Sequence, residues 1–137
     1  MAALVEAAAV MVSFGVDLVV VGGAGLWLHG DPSARLRDLD VVPAPDPANL
    51  GRLLSCRLPL GARARSWPTY RQLEQVDLLT VSTSFGPIDL LTQRGRKEYH
   101  SLRVGATAVP VLGVPVPVAS LADVRRLKRR FKEPADV

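Results

Sequence analysis

The sequence predicts an α/β (α+β) fold, a small mixed sheet flanked by helices, and three observations carry that expectation. The segment LVVVGGAG at 18–25 is an apolar, β-branched run that breaks into glycines. That is the pattern of a strand buried on both faces entering a tight turn. Two further apolar runs, 76–82 and 87–92, flank Thr83-Ser84-Phe85-Gly86, a hairpin signal. Stretches of helical composition without breakers lie between and around these strands.

Taken in order, residues 2–13 read as a helix of Ala, Leu, Val, Glu and Met, ended by Phe14-Gly15 with Gly15 at C′. Residues 17–21 are the first strand. Gly22-Gly23 turns the chain, 24–29 is a short helix, and 30–33 is a loop. Residues 39–42 are the second strand. The PAPDP link at 43–47 is rigid and places Asp46 to cap a helix over 48–56, with Pro47 at its first position. A loop over 58–66 and a helical turn over 68–74 lead to the hairpin. Residues 94–100 are polar, helical or irregular. The Val-rich stretch 102–118 carries Gly105, Pro110, Gly113, Pro115 and Pro117, so it reads as short edge strands, because proline cannot donate to a central ladder. Ser120 caps a last helix over 121–131, with Asp123 at its third position. Leu121, Val124, Leu127 and Phe131 form the apolar stripe of that helix. Glu133-Pro134 closes it.

At 137 residues the chain is expected to be a single domain, 1–137, with a substantial core. Hydrophobic residues make up 48% and charged residues 22%, a globular composition. The longest apolar run, 16–28, is interrupted by Asp17 and three glycines, too short to span a bilayer. The N-terminal stretch carries Glu6 and no basic region, which argues against a signal peptide. Cys56 is the only cysteine, so no internal disulfide forms and a cytoplasmic location is expected. The net charge of +4 is uneven, with one cluster at Arg94, Arg96 and Lys97 and another at Arg125, Arg126, Lys128, Arg129, Arg130 and Lys132. Such clusters favour anionic partners such as a nucleotide, RNA or an acidic protein. The plainer alternative is a solvated basic face.

The chemistry centres on RDLDVV at 37–42. In an extended strand Asp38 and Asp40 point to one face. Two adjacent anions repel unless something positive lies between them, and a divalent metal fits. A later apolar strand, Pro87-Ile88-Asp89-Leu90-Leu91, carries a lone carboxylate that burial would penalise without a partner. Placed beside the second strand, Asp89 completes a three-carboxylate cluster. Gly22 and Gly23 let backbone N–H groups approach phosphates that a Cβ would obstruct. Metal plus phosphate points to phosphoryl or nucleotidyl transfer with Mg²⁺ or Mn²⁺. Asp38 and Asp40 would hold the metals, and Asp89 would hold a metal at the attacking hydroxyl or act as its base. A dinucleotide-binding unit fits less well. Leu28 occupies the place of the third glycine, and the acids come too soon at the start of a strand. His29, Trp27 and Trp67 read as structural residues.

Together, VVVGGAGLWLHG…RDLDVV, FGPIDLL and VPVASLADVRRLKRRFKEPAD resemble the nucleotidyltransferase superfamily that shares the DNA polymerase β palm. Within it the chain is similar to small bacterial proteins of the AbiEii/MenT type and to minimal nucleotidyltransferases. The resemblance implies the nucleotidyltransferase fold, with catalytic and metal-holding roles for Asp38, Asp40 and Asp89. It also implies nucleotide contacts from Gly22, Gly23, Arg37 and Lys128. The implied partners are an NTP and either tRNA or a cognate toxin or antitoxin protein, within a toxin–antitoxin system. The chain departs from the family pattern at Gly23, where a small polar residue is usual, at Leu36 in place of Thr, and at Ala34 in place of Arg. It also reads Glu133-Pro134-Ala135-Asp136 where relatives read Arg-Pro-Lys-Asp. The alternative reading is a catalytically inactive protein of this fold that serves as a protein-binding, antitoxin-like module.

Overall fold

Strand β1, Leu18–Val21, is buried throughout its four residues and lies near the middle of a six-stranded mixed sheet. The computed structural model describes residues 2–31 and 33–132, with side chains as far as Leu127. The strands are β1, β2 (Leu39–Pro43), β3 (Leu79–Thr83), β4 (Gly86–Leu90), β5 (Thr107–Val111) and β6 (Val114–Val118). Their spatial order is β3-β4-β2-β1-β6-β5. β1 runs antiparallel to β2, which excludes the parallel pair that a dinucleotide-binding unit requires. β2 and β4 are parallel, as are β1 and β6, while the outer pairs β3–β4 and β5–β6 are antiparallel hairpins.

Seven α-helices surround the sheet among the described residues: α1 (Ala3–Ser13), α2 (Gly22–Leu28), α3 (Pro47–Leu54), α4 (Tyr70–Gln75), α5 (Thr92–Arg96), α6 (Tyr99–Gly105) and α7 (Leu121–Lys132). Side-chain alternation along the strands sorts the core into two clusters, one on each face. Leu18, Val20, Leu39, Val41, Ile88 and Leu90 pack with α1 and α3 through Val5, Met11, Leu50 and Leu53. Val19, Val21 and Val42 point the other way and pack with Leu91, Leu102, Val124 and Leu127. Asp40 lies between Val41 and Leu39, and Asp89 between Ile88 and Leu90. Both aspartates therefore belong to this second face, which α5, α6 and α7 cover only in part.

Several local expectations hold in detail. Asp46 accepts a hydrogen bond from the Asn49 amide at 3.1 Å with Pro47 in the first turn. Ser120 Oγ accepts from the Asp123 amide at 3.1 Å. Removing that cap in Ser120→Ala is expected to cost about 1 kcal/mol. In a domain of this size that lowers Tm by about 3–5 °C. A thermal melt checks it, and an unchanged Tm would show the cap to be dispensable. Leu121, Val124 and Leu127 pack α7 onto the second face as the stripe predicts. The side chains of Phe131 and Lys128, and the closing residues Glu133-Pro134-Ala135-Asp136, lie outside the described residues. Cys56 is buried, and burial pushes its thiol up to about 11, so it remains a protonated packing residue. No helix among the described residues is long and apolar enough to cross a membrane.

Three expectations need correction. Gly22-Gly23 is not a separate turn, because α2 begins at Gly22 directly from the end of β1. Residues 102–105 are helical, and α5 and α6 divide the polar stretch between them. The stretch after α6 is a hairpin whose second strand is interior rather than an edge. The hairpin register explains how β6 tolerates its prolines. Val111 pairs with Val114 across the two-residue turn Leu112-Gly113, so Pro115 faces Pro110 and Pro117 faces Ala108 in pairs that exchange no backbone hydrogen bonds. Pairing to β1 begins only past Pro117, at Val118 opposite Val20 and through the Ala119 amide to the Val20 carbonyl at 3.0 Å.

Candidate active site

The register of the sheet creates the site. Asp40 lies directly opposite Asp89 in the parallel β2–β4 pair and opposite Val21 in β1. Asp38 immediately precedes β2. One carboxylate oxygen from each of Asp38, Asp40 and Asp89 comes within 4.8 Å of the others. Asp40 is only 4% exposed, whereas Asp38 and Asp89 are half-buried at the open side of the cluster.

Oxygen-only donors of this kind suit a hard divalent cation such as Mg²⁺, Mn²⁺ or Ca²⁺. A metal–oxygen distance of about 2.1 Å spans at most about 4.2 Å between opposite ligands. The cluster is therefore near the size that one or two such ions draw together. Three carboxylates gathered at one point of a partly buried face repel one another in the absence of a cation, which is the chemical argument for one.

The glycines matter for reasons that the sequence does not reveal. Gly22 has a φ of +66°, and a Cβ there would collide with the Asp40 carboxylate, lying 2.9 Å from its Cγ. The carboxylate of Asp40 is thus seated against the first residue of α2, the end at which a helix dipole is positive. A Cβ on Gly23 would lie 2.8 Å from the Arg35 carbonyl oxygen. Gly23 therefore lets the loop before β2 close onto α2. These contacts by themselves require glycine at both positions.

Closure of that loop shapes a cleft of about 460 Å³ beside the acids, lined by Gly23, Leu26, Ala34, Arg35, Arg37 and Asp38, with Asp31 and Ser33 at its wall. Arg35 and Arg37 are exposed, so two cations flank the cleft next to a cluster of anions. Asp31 holds the loop by accepting from the Ser33 amide at 2.9 Å and the Ser33 hydroxyl at 2.6 Å. Sequence reasoning singled out Arg37 and Gly23 but not Arg35, Asp31 or Ser33. Their shared loop between the glycines and Asp38 was the available signal.

Thr80 was also missed. Its hydroxyl lies 2.6 Å from Asp89 Oδ1. The residues read as structural behave so. His29 Nε2 lies 2.7 Å from the Ala119 carbonyl, which can only accept, so this nitrogen donates. Trp67 Nε1 donates to the Leu54 carbonyl at 3.1 Å, and Trp27 packs on the core. In the basic last helix, Arg126 bridges Glu98 at 3.2 Å and Asp123 at 3.3 Å, which ties α7 to the start of α6.

No protein-family model and no curated protein matches this sequence. Two solved structures match its fold. TM1012 from Thermotoga maritima, designated a nucleotidyltransferase, is 13% identical with a TM-score of 0.61, covering 93% of this chain and 82% of that one. The antibiotic-resistance factor ANT(2'')-Ia is 15% identical with a TM-score of 0.60, covering 97% of this chain and 73% of that one. The mixed sheet, its flanking helices and this likeness together give the chain the nucleotidyltransferase fold.

Proposed function

We propose that the chain is a metal-dependent nucleotidyltransferase that moves an NMP from an NTP to a hydroxyl. The observation that carries this reading is the convergence of Asp38, Asp40 and Asp89 within 4.8 Å beside a cleft flanked by Arg35 and Arg37. When bound, Mg²⁺ or Mn²⁺ held by the three aspartates would supply positive charge against the triphosphate and lower the barrier to attack by the hydroxyl. Arg37, with Arg35 beside it, supplies fixed positive charge at the cleft for the phosphates. The first turn of α2, from Gly22 and Gly23, presents backbone N–H groups without intrahelical partners. Lys128 is a further nucleotide contact on this reading.

In the reaction the acceptor oxygen forms a bond to the α-phosphorus, the bond from that phosphorus to the β-bridging oxygen breaks, and pyrophosphate leaves. On this reading half-buried Asp89 would hold a metal at the attacking hydroxyl or act as the base that takes its proton. The acceptor is a tRNA end or a cognate protein in a toxin–antitoxin pair. The exposed Arg94, Arg96, Lys97 and Arg125 favour the anionic option. One buried cysteine fits a cytoplasmic protein.

Incubation with labelled NTPs, Mg²⁺ and total tRNA, and separately with candidate partner proteins, tests the reading. Wild type is expected to label an acceptor, while Asp38→Ala and Asp40→Ala are not. Equal labelling by all three would reject the mechanism. Tight partner binding without any nucleotide binding would instead favour an inactive module.

A further inference from the structure

We propose that Thr80 is a positioning residue for Asp89, fixing the rotation of its carboxylate so that the third ligand of the acidic cluster is preset. The proposal rests on reading Asp38, Asp40 and Asp89 as a metal-holding cluster. Thr80 lies on β3, an edge strand that contributes no other residue to the site. It is the direct cross-strand neighbour of Asp89.

The hydrogen-bond pattern of the sheet makes this neighbour unusually close. The Leu91 amide donates to the Val41 carbonyl of β2, so residues 87, 89 and 91 turn their backbone groups toward β2 and away from β3. Thr80 and Asp89 therefore form a pair without mutual backbone bonds. Such pairs bring the Cα atoms to about 4.5 Å rather than about 5.5 Å. At that spacing a threonine hydroxyl reaches its neighbour's carboxylate, and Thr80 Oγ1 donates to Asp89 Oδ1 at 2.6 Å.

Asp40 and Asp89 differ in what else restrains them. Asp40 is 4% exposed and seated against Gly22. Asp89 is half-buried, and Thr80 beside it is exposed. A carboxylate at such an open position samples several orientations unless a donor holds it. The Thr80 hydroxyl occupies one acceptor position of Oδ1 and leaves the remaining lone pairs of the carboxylate for a cation. Partners of this kind behind a ligating carboxylate typically matter about 10–100-fold to metal affinity. The plainer role for a cross-strand Thr–Asp pair is to stabilise the hairpin, and that role predicts a loss of Tm rather than of affinity.

The test compares Thr80→Val and Thr80→Ser with wild type by Mn²⁺ titration, read as the free-ion EPR signal, together with a thermal melt without metal. Valine keeps the branched shape and high strand propensity but removes the donor, and serine retains the donor. Thr80→Val is expected to bind Mn²⁺ about tenfold more weakly with Tm within about 1 °C of wild type, and Thr80→Ser to bind within about twofold of wild type. Unchanged Mn²⁺ affinity in Thr80→Val, or equal weakening in both variants, would overturn the positioning role. Wild type that takes up no Mn²⁺ would instead overturn the reading of the acidic cluster itself. If Thr80→Val melts well below wild type, the titration is run at a temperature where both variants are fully folded. Tenfold weaker binding in folded Thr80→Val with wild-type affinity in Thr80→Ser supports the proposal, and wild-type affinity in folded Thr80→Val, or tenfold weakening in Thr80→Ser, contradicts it.

Discussion

Asp40→Asn is expected to abolish nucleotide transfer, by about 10³-fold or more, while leaving the metal-free fold at least as stable as wild type. Asparagine has nearly the shape of aspartate, so the buried seat against Gly22 is kept. What disappears is one of three like charges gathered within 4.8 Å, and with it part of their mutual repulsion. The two effects have opposite signs, which makes the pattern specific. In wild type, Mg²⁺ with NTP at about 100 times its Kd adds about 2.7 kcal/mol to stability, a rise in Tm of about 10 °C. Asp40→Asn is expected to keep only a small part of that rise. Thermal melts with and without Mg²⁺ for each of the four NTPs measure it and report nucleotide preference at the same time. A full metal-dependent rise in Asp40→Asn would mean that the ion binds elsewhere.

Gly22→Ala is the second large effect. At φ +66° an alanine pays about 1–2 kcal/mol for the left-handed backbone alone. Its Cβ must also displace the Asp40 carboxylate or the start of α2. The expected result is a Tm lower by about 5 °C or more, together with a loss of transfer activity that persists at temperatures where the protein is fully folded. Gly113→Ala is the control. Gly113 has a φ of +77°, but a Cβ there meets nothing within 4 Å, at the far hairpin turn. It is expected to lose stability and keep activity. Equal activity in the two variants would show that the seat of Asp40 over Gly22 does not matter to the chemistry.

The acidic cluster was largely legible in the sequence. Strict alternation in a strand places Asp38 and Asp40 on one side, and a lone acid between Ile88 and Leu90 needs a partner, which the β2–β4 register supplies. The hairpin was legible too, and its register already pairs position 80 with position 89. Thr80 escaped notice because a threonine in a strand is ordinary until its neighbour is known to be a ligand. For the glycines, the sequence showed one reason for their smallness and hid another. Their contacts are with Asp40 and with the Arg35 carbonyl, both distant enough in the chain that only the folded structure brings them together. The place of β6 was misread because proline normally marks an edge. Its prolines fall where no bond to β5 is needed and before the pairing with β1 begins, an arrangement fixed by register and not by composition. The cleft depends on the loop before β2 folding back onto Gly23, and Leu36 and Ala34 gave no local sign of it.

On the function proposed above, Asp38, Asp40 and Asp89 together hold a divalent cation against a nucleoside triphosphate. Anomalous diffraction from crystals grown with Mn²⁺ and a non-hydrolysable NTP tests it most directly. A manganese peak is expected within about 2.3 Å of oxygens from all three aspartates, with the triphosphate in the cleft beside Arg35 and Arg37. A nucleotide bound elsewhere, or manganese coordinated away from these three carboxylates, would contradict it.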